Sequence, residues 1–170
     1  MPGLIVIGGA PGCGKSTLAT ALRAHFHGPW IDFGRLREFH LEADWSNQSP
    51  EEETIAFENL VSIIRNYLKH GYANILIDDL RDHRIRQIGG LFAENSAHVL
   101  TLFVSDPSEL RRRIVTRNDG WKNADAAIAW NQAVIDRAAG DREVKIDTAC
   151  LSPAEVFAKS LGIISVSTRG

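Results

Sequence analysis

The run Leu4-Ile5-Val6-Ile7 is apolar throughout and stops at Gly8-Gly9. A helical spacing of apolar residues then begins at Lys15 and lasts to Phe26. A strand with no polar face, a glycine-rich turn and a helix, in that order, leave few ways to fold. Such a strand needs parallel neighbours on its edges and helices over both faces. Within the turn, Gly9-Ala10-Pro11-Gly12-Cys13-Gly14-Lys15-Ser16 fits the spacing G-x-x-x-x-G-K-[ST]. The glycines let the backbone come close to phosphate oxygens. The amides that follow one another at the helix start favour an anion. Lys15 is placed to reach the β- and γ-phosphates, the Ser16 hydroxyl to ligate Mg²⁺, and Thr17 to close the helix start. ATP and Mg²⁺ are therefore the expected cofactors, with Gly9 to Thr17 as their site. The competing reading is a glycine-rich turn ahead of an ordinary helix.

The rest of the chain continues the alternation. Strands are expected at 4–8, 30–33, 73–78, 98–104 and 143–148. Helices are expected at Gly34–Glu42, from Ser49 or Pro50 to Lys69, at 82–94, from Pro107, from Asp125 to Ala138, and at 152–161. Ser49, Asp106 and Ser152 read as N-caps, with Glu155 completing a capping box on the last. Along the long helix the expected apolar face is Ile55, Leu60, Ile63, Ile64, Tyr67 and Leu68. No shift of composition marks a boundary, so 1–170 is expected to be one domain, an α/β unit with a parallel sheet between helical layers.

Composition narrows the function. A net charge of −2 gives no general reason to expect nucleic acid or an anionic membrane as partner. Cys13 and Cys150 stand far apart in no metal or redox spacing, which suits a reducing cytoplasm. The six histidines show no metal spacing either, and no signal segment or membrane span is read at the sequence level. A monomer or homodimer acting on a small molecule is the expectation.

In an open α/β sheet, ligands lie beyond the carboxyl ends of the strands. Asp32 ends the second strand, with Arg35 and Arg37 just after it. Phosphoryl transfer to a hydroxyl needs a group that orients the acceptor and takes its proton, and cations for the spreading charge. Asp32 can be that base, with Arg35 holding the acceptor, or it can be the N-cap of the next helix. Asp78 and Asp79 end the third strand. Asp78 is the candidate for organising Mg²⁺, while Asp79 and Arg81 are candidates for the acceptor, with Arg84 and Arg86 near the same cleft. A capping pair is the alternative for the two carboxylates. Arg113 and Arg117 are four apart and are expected to share a helix face, where they can clamp phosphates; the alternative is a solvated charged face, the reading for Arg111 or Arg112. Gly120 lies in a candidate lid around 117–127. Trp130 reads as packing, Trp121 as either packing or stacking, and Trp45 as the better stacking candidate.

"GGAPGCGKST", "WIDFGRLR", "ANILIDDLR", "LRRRIVTR" and "EVKIDTACLSPAEV" resemble, in that order, the small P-loop phosphotransferases. The resemblance extends over nearly the whole chain and is nearest to the chloramphenicol phosphotransferase-like group and the related tunicamycin-resistance-like and zeta-toxin-like kinases. It implies a P-loop NTPase of nucleoside-monophosphate-kinase-like form, three layers α/β/α with a five-stranded parallel sheet in the order 2-3-1-4-5. It implies that Asp32 acts on the acceptor hydroxyl. It also implies that the adenine lies between the helix carrying the arginines and the "DTACLS" loop, with Thr148 and Arg113 as nucleotide contacts. The activity so implied is an ATP-dependent kinase acting on a hydroxyl of a small molecule, an antibiotic or a nucleoside- or sugar-like acceptor. The alternatives are a nucleotide-dependent switch working through a protein partner and a toxin-like nucleotide-sugar kinase.

Overall fold

The computed structural model describes residues 3–39, 49–118 and 120–166. Its strands are β1 (Gly3–Gly9), β2 (Trp30–Asp32), β3 (Ile75–Asp78), β4 (Ser96–Phe103) and β5 (Glu143–Asp147). Its helices are α1 (Lys15–Phe26), α2 (Phe33–Arg37), α3 (Pro50–Lys69), α4 (Asp82–Leu91), α5 (Pro107–Thr116), α6 (Ala124–Asp136) and α7 (Pro153–Val166). The strands form one parallel sheet in the order β2-β3-β1-β4-β5, as expected.

The apolar run of β1 is explained by its place at the centre of the sheet, where every residue is buried. Ile5 and Ile7 face a core built with Leu18 and Leu22 of α1, Leu110 and Ile114 of α5, and Ile164 of α7. Leu4 and Val6 face the opposite core, with Phe57, Leu60 and Ile64 of α3 and Ile88 of α4. Successive side chains thus serve opposite layers, which is why no position in the strand can be polar.

The helix starts follow the residues that cap them. Ser49 accepts from the Glu52 amide at 3.3 Å, with Pro50 at the first helical position. Asp106 accepts from the Ser108 amide at 2.8 Å. Ser152 and Glu155 cap each other reciprocally. The start of α6 is set by Asn123, which accepts from the Ala126 amide at 3.0 Å and draws the helix slightly ahead of its expected beginning.

Three expectations need correction. The buried face of α3 is Ala56, Phe57, Leu60, Val61 and Ile64, and Ile55 is turned outward. The i, i+3, i+4, i+7 series from Phe57 is the wider stripe, and including Ile55 rotates the face away from it. α4 carries Gly89 and Gly90 within the helix and ends at Leu91, because the packing of Ile85 and Ile88 outweighs the low helix preference of glycine. α2 ends at Arg37, with Glu38 as its C-cap and Phe39 in the turn that follows, short of the expected Glu42; residues 40–48, with His40, the loop and Trp45, lie outside the described residues. Among the described residues, no helix is long and apolar enough to cross a membrane.

The sheet centre carries the stability. Leu100 of β4 is fully buried in the α1-side core. Leu100→Ala is expected to cost about 2–5 kcal/mol, read as a lower urea midpoint at unchanged m-value.

Candidate active site

The glycine-rich turn leaves β1 through Gly9, whose φ is 126°. A Cβ there would lie 2.2 Å from the Leu102 carbonyl oxygen of β4, so only glycine lets the chain leave the sheet at this point. At the other end of the turn Gly14, at φ 98°, is the N-cap of α1 and has no side chain to cap it. The first turn of α1 also has no acidic residue. A helix start of this kind, uncapped by its N-cap residue, is one that favours an anion. Ser16 and Thr17 are exposed beside them.

The turn is held from behind. The Thr148 hydroxyl lies 3.2 Å from the Cys13 carbonyl oxygen, 3.2 Å from that of Phe103, and 3.1 Å from a nitrogen of Arg113. The Cys13 thiol donates to Asn131 Oδ1 at 3.4 Å, and the Asn131 amide also pairs with both backbone groups of Val104, at 2.9 and 2.8 Å. Burial pushes the Cys13 thiol up to about 11, so it stays a neutral packing group.

The carboxylates arrive by sheet register. Asp32 pairs with Asp78 across β2 and β3, and Ile7 pairs with Asp78 across β1 and β3. The carboxyl ends of β2 and β3 therefore open beside the glycine-rich turn. Asp78 is buried and accepts from the Trp30 indole N–H at 3.0 Å. Asp79 follows the strand in a left-handed conformation, φ 61°, which turns its side chain to Lys15 Nζ at 3.5 Å. Lys15 also lies 3.3 Å from the Ala10 carbonyl oxygen. Asp32 and Asp79 converge over Gly34: a Cβ there would lie 2.7 Å from Asp79 Oδ2 and 3.1 Å from Asp32 Oδ1. The two readings of Asp32 coexist, because it caps α2 by accepting from the Arg35 amide at 3.3 Å while its carboxylate faces Asp79.

Electrostatics follow from this crowding. Burial pushes the Asp78 carboxyl up to about 7; the Trp30 hydrogen bond and Lys15 oppose this, and Asp32 and Asp79 add to it. Asp32 is also raised, by burial first and by Asp79, against the amides of Arg35 and Gly34.

The arginines divide. The Arg35 side chain is 84% exposed and reaches back to Asp32, at 3.7 Å. Arg37, one helical turn beyond Gly34, is buried. Arg81 lies with its guanidinium 5.7 Å from the Trp130 ring centre, and Trp130 in turn meets Trp121 edge to face at 6.4 Å. Arg84 is buried over the Phe57 ring and paired with Glu53, while Arg86 is exposed. Arg113 is held by Glu109 at 2.7 Å and donates to the Thr148 carbonyl oxygen at 2.8 Å. The expected shared face of Arg113 and Arg117 does not form, because α5 ends at Thr116 and Arg117 is its extended C-cap, packed against Gly120. Arg112, exposed, shares Glu109 with Arg113, and Arg111 pairs with Asp125. Trp30, Glu53 and Asn131 were not picked out by sequence reasoning. Trp30 had a signal, since it stands two residues before Asp32 and so on the same sheet face; Asn131 had none.

The chain matches the family model described as an AAA domain over residues 5–129. The chain belongs to that AAA-domain family. No curated protein matches it by sequence. Among solved structures, the AAA-domain chain superposes on a gluconokinase from Sinorhizobium meliloti 1021 with a TM-score of 0.73 at 15% identity, covering 96% of this chain and 92% of that one. It superposes on a sugar kinase from Janibacter sp. HTCC2649 with a TM-score of 0.71 at 12% identity, covering 97% and 95%. A thymidylate kinase from Candida albicans gives 0.67 at 18% identity, covering 98% and 92%. With the sheet order above, the fold is that of a P-loop NTPase.

The site makes a prediction for stability against pH. The fold accommodates Asp78 protonated, so its contribution is fully present below the unfolded pKa near 3.8 and is lost as pH rises through about 7. Asp78→Asn keeps an oxygen for the Trp30 indole and removes the titration. Without added nucleotide, its urea midpoint is expected to gain on the parent's between pH 4 and pH 8, roughly the span between those two values. Parallel profiles would show that Asp78 is not held protonated.

Proposed function

We propose that the chain is an ATP·Mg²⁺-dependent phosphotransferase that moves the γ-phosphate to a hydroxyl of a small molecule. The observation that carries this reading is the 3.5 Å pair of Lys15 and Asp79, with Asp32 beside them over Gly34. It makes the anion cradle and the carboxylates of two neighbouring strands one site. A phosphate cradle alone fits any nucleotide-binding protein; a carboxylate on the far side of its lysine is what transfer to a hydroxyl needs. The kinase neighbours in fold space support the same class.

The residues fit a magnesium ion carried largely by the nucleotide. Mg²⁺ keeps waters and phosphate oxygens in its shell and takes only one or two carboxylates. The Ser16 hydroxyl and the Asp78–Asp79 pair are that kind of donor set. Among the described residues, no cluster of His, Cys, Asp and Glu is arranged to hold an ion by itself. When bound, the ion would neutralise charge on the β- and γ-oxygens.

In this reading the amides of the turn and Lys15 hold the phosphates. Asp32 accepts the proton of the acceptor hydroxyl, a task favoured by a carboxylate whose pKa is raised toward neutrality. Arg113 and Thr148 serve the nucleotide by fixing Cys13, and Arg81 reaches from the acceptor side toward the lid segment. The chloramphenicol phosphotransferase-like resemblance is the finer form of the proposal, and the paired Asp78-Asp79 supports it.

ADP release is the test, measured with ATP·Mg²⁺ against antibiotics, nucleosides, sugars and nucleotide sugars. One acceptor is expected to stimulate turnover. Asp32→Asn is expected to lower that turnover about 10²–10⁴-fold with little change in ATP affinity. Lys15→Met is expected to lower it at least about 10²-fold. Full acceptor-dependent turnover in Asp32→Asn would remove the base from this position. Tight ATP binding with no stimulation by any acceptor would favour the switch reading.

A further inference from the structure

Trp30 belongs to β2, the edge strand of the sheet, and the proposed reaction so far gives it no part. It pairs in register with Leu76 of β3, as Asp32 pairs with Asp78. Leu76 is buried in the core that Leu18 and Leu22 of α1 help to build. Side chains alternate between the faces of a strand, so Asp78, two residues after Leu76, stands on the face that α1 covers. Ser16 lies in the first turn of that same helix. Trp30 packs at the rim of the same core, and its indole N–H donates to Asp78 Oδ1 at 3.0 Å. Asp78 is only 1% exposed. Among the described residues, no second hydrogen bond reaches its carboxyl group, and Lys15 is paired with Asp79.

A carboxyl group out of water needs a donor, and the kind of donor decides what the group can still do. Arg84 and Glu53 show one kind. The guanidinium lies with its Cζ 4.3 Å from the Phe57 ring centre, and its Nε and Nη2 both donate to the Glu53 carboxylate, whose charge is cancelled. Indole is another kind. It donates one hydrogen bond, accepts none and carries no charge. It therefore fixes the direction of Asp78 without cancelling the charge that a cation would use. The ring is itself held by packing on the core, so the direction is set before a ligand arrives. Outer groups that orient the ligands of a metal contribute to its affinity in this way.

We propose that Trp30 is a positioning residue for the metal of the nucleotide: its indole N–H fixes Asp78 Oδ1 and leaves Oδ2 to the magnesium shell. This rests on the phosphotransferase reading above, in which Asp78 organises the ion, and adds to it the group that orients Asp78.

The test uses the intact protein with ADP and Mn²⁺, an ion that takes the same oxygen ligands as Mg²⁺ and whose free form is read by its paramagnetic resonance. Mn²⁺ is titrated into protein held in excess over ADP. The pH is set above about 7, the value to which burial pushes the Asp78 carboxyl. Trp30→Phe keeps an aromatic ring and loses the donor, and is expected to weaken Mn²⁺ about tenfold. Trp30→His restores a ring N–H two bonds from Cγ, the place of the indole nitrogen, and is expected to recover most of that loss. Metal-free ADP affinity is expected to stay within about twofold in both variants. Asp78→Asn is expected to weaken Mn²⁺ by itself, and Trp30→Phe to add nothing further in that background. Four results would each overturn the inference: unchanged Mn²⁺ affinity in Trp30→Phe, equal losses in Trp30→Phe and Trp30→His, losses that add to that of Asp78→Asn, or metal-free ADP affinity falling as far as Mn²⁺ affinity. If Asp78→Asn binds Mn²⁺ as the parent does, Asp78 does not serve the ion, and this inference falls with that assignment. The phosphotransferase reading is tested separately by acceptor-dependent ADP release, which can hold in every one of these cases.

Discussion

The ammonium of Lys15 is the charge around which this site is arranged. Parallel strands deliver their carboxyl ends to one edge, so Asp32 and Asp78 are brought side by side by register, and Asp79 follows at the next residue. Three carboxylates in so small a space repel, and one of them is also buried. Lys15 is in contact with only one, Asp79, which must adopt a left-handed backbone to reach it. Burial first, and the neighbouring carboxylates after it, raise the pKa of the other two.

The glycine-rich turn needs a fixed shape for its amides to converge, and the structure supplies this from elements far away in sequence. Thr148, just beyond β5, is placed against the Cys13 carbonyl oxygen and is itself engaged by Arg113 of α5. Asn131 of α6 bonds both backbone groups of Val104 and receives the Cys13 thiol. Glu109 anchors Arg113, and the Arg112 and Arg113 guanidiniums hold its carboxyl low, at about 2. The bonds of Thr148, Asn131 and Cys13 join groups removed from solvent, where an unmade bond is costly. They hold the turn from behind, with the Thr148 hydroxyl against the Cys13 carbonyl oxygen.

The fold was legible because its signals are local and repeated. The strands are short apolar runs, and the helix starts carry Ser49-Pro50, Asp106-Pro107 and Ser152 with Glu155. The sheet order came with the family resemblance. The carboxylates were legible for a related reason: strand ends in such a sheet face the ligand side whatever the loops do. What could not be read was the direction of side chains leaving short or ending helices. Arg35 and Arg37 are two residues apart on a five-residue helix, so one points out and the other in, and the spacing alone does not say which. Arg113 and Arg117 have helical spacing, but the helix stops between them at Thr116, before a turn in which Gly120 adopts φ 84°. The division of labour between Asp78 and Asp79 depends on the one backbone torsion that turns Asp79 to Lys15, and adjacent identical residues carry no sign of it.

The placement of α6 links the glycine-rich turn to the start of α4. Asn131 on this helix receives the Cys13 thiol of that turn, while Trp130, its chain neighbour, lies against the Arg81 guanidinium and meets Trp121 edge to face. Consecutive residues on a helix point about 100° apart, so one helix turn can serve both tasks at once. At its far end Arg137 bonds Asp82, the first residue of α4, and Glu143, the first residue of β5. α6 is therefore fixed to the start of α4 at one end and to the glycine-rich turn in its middle.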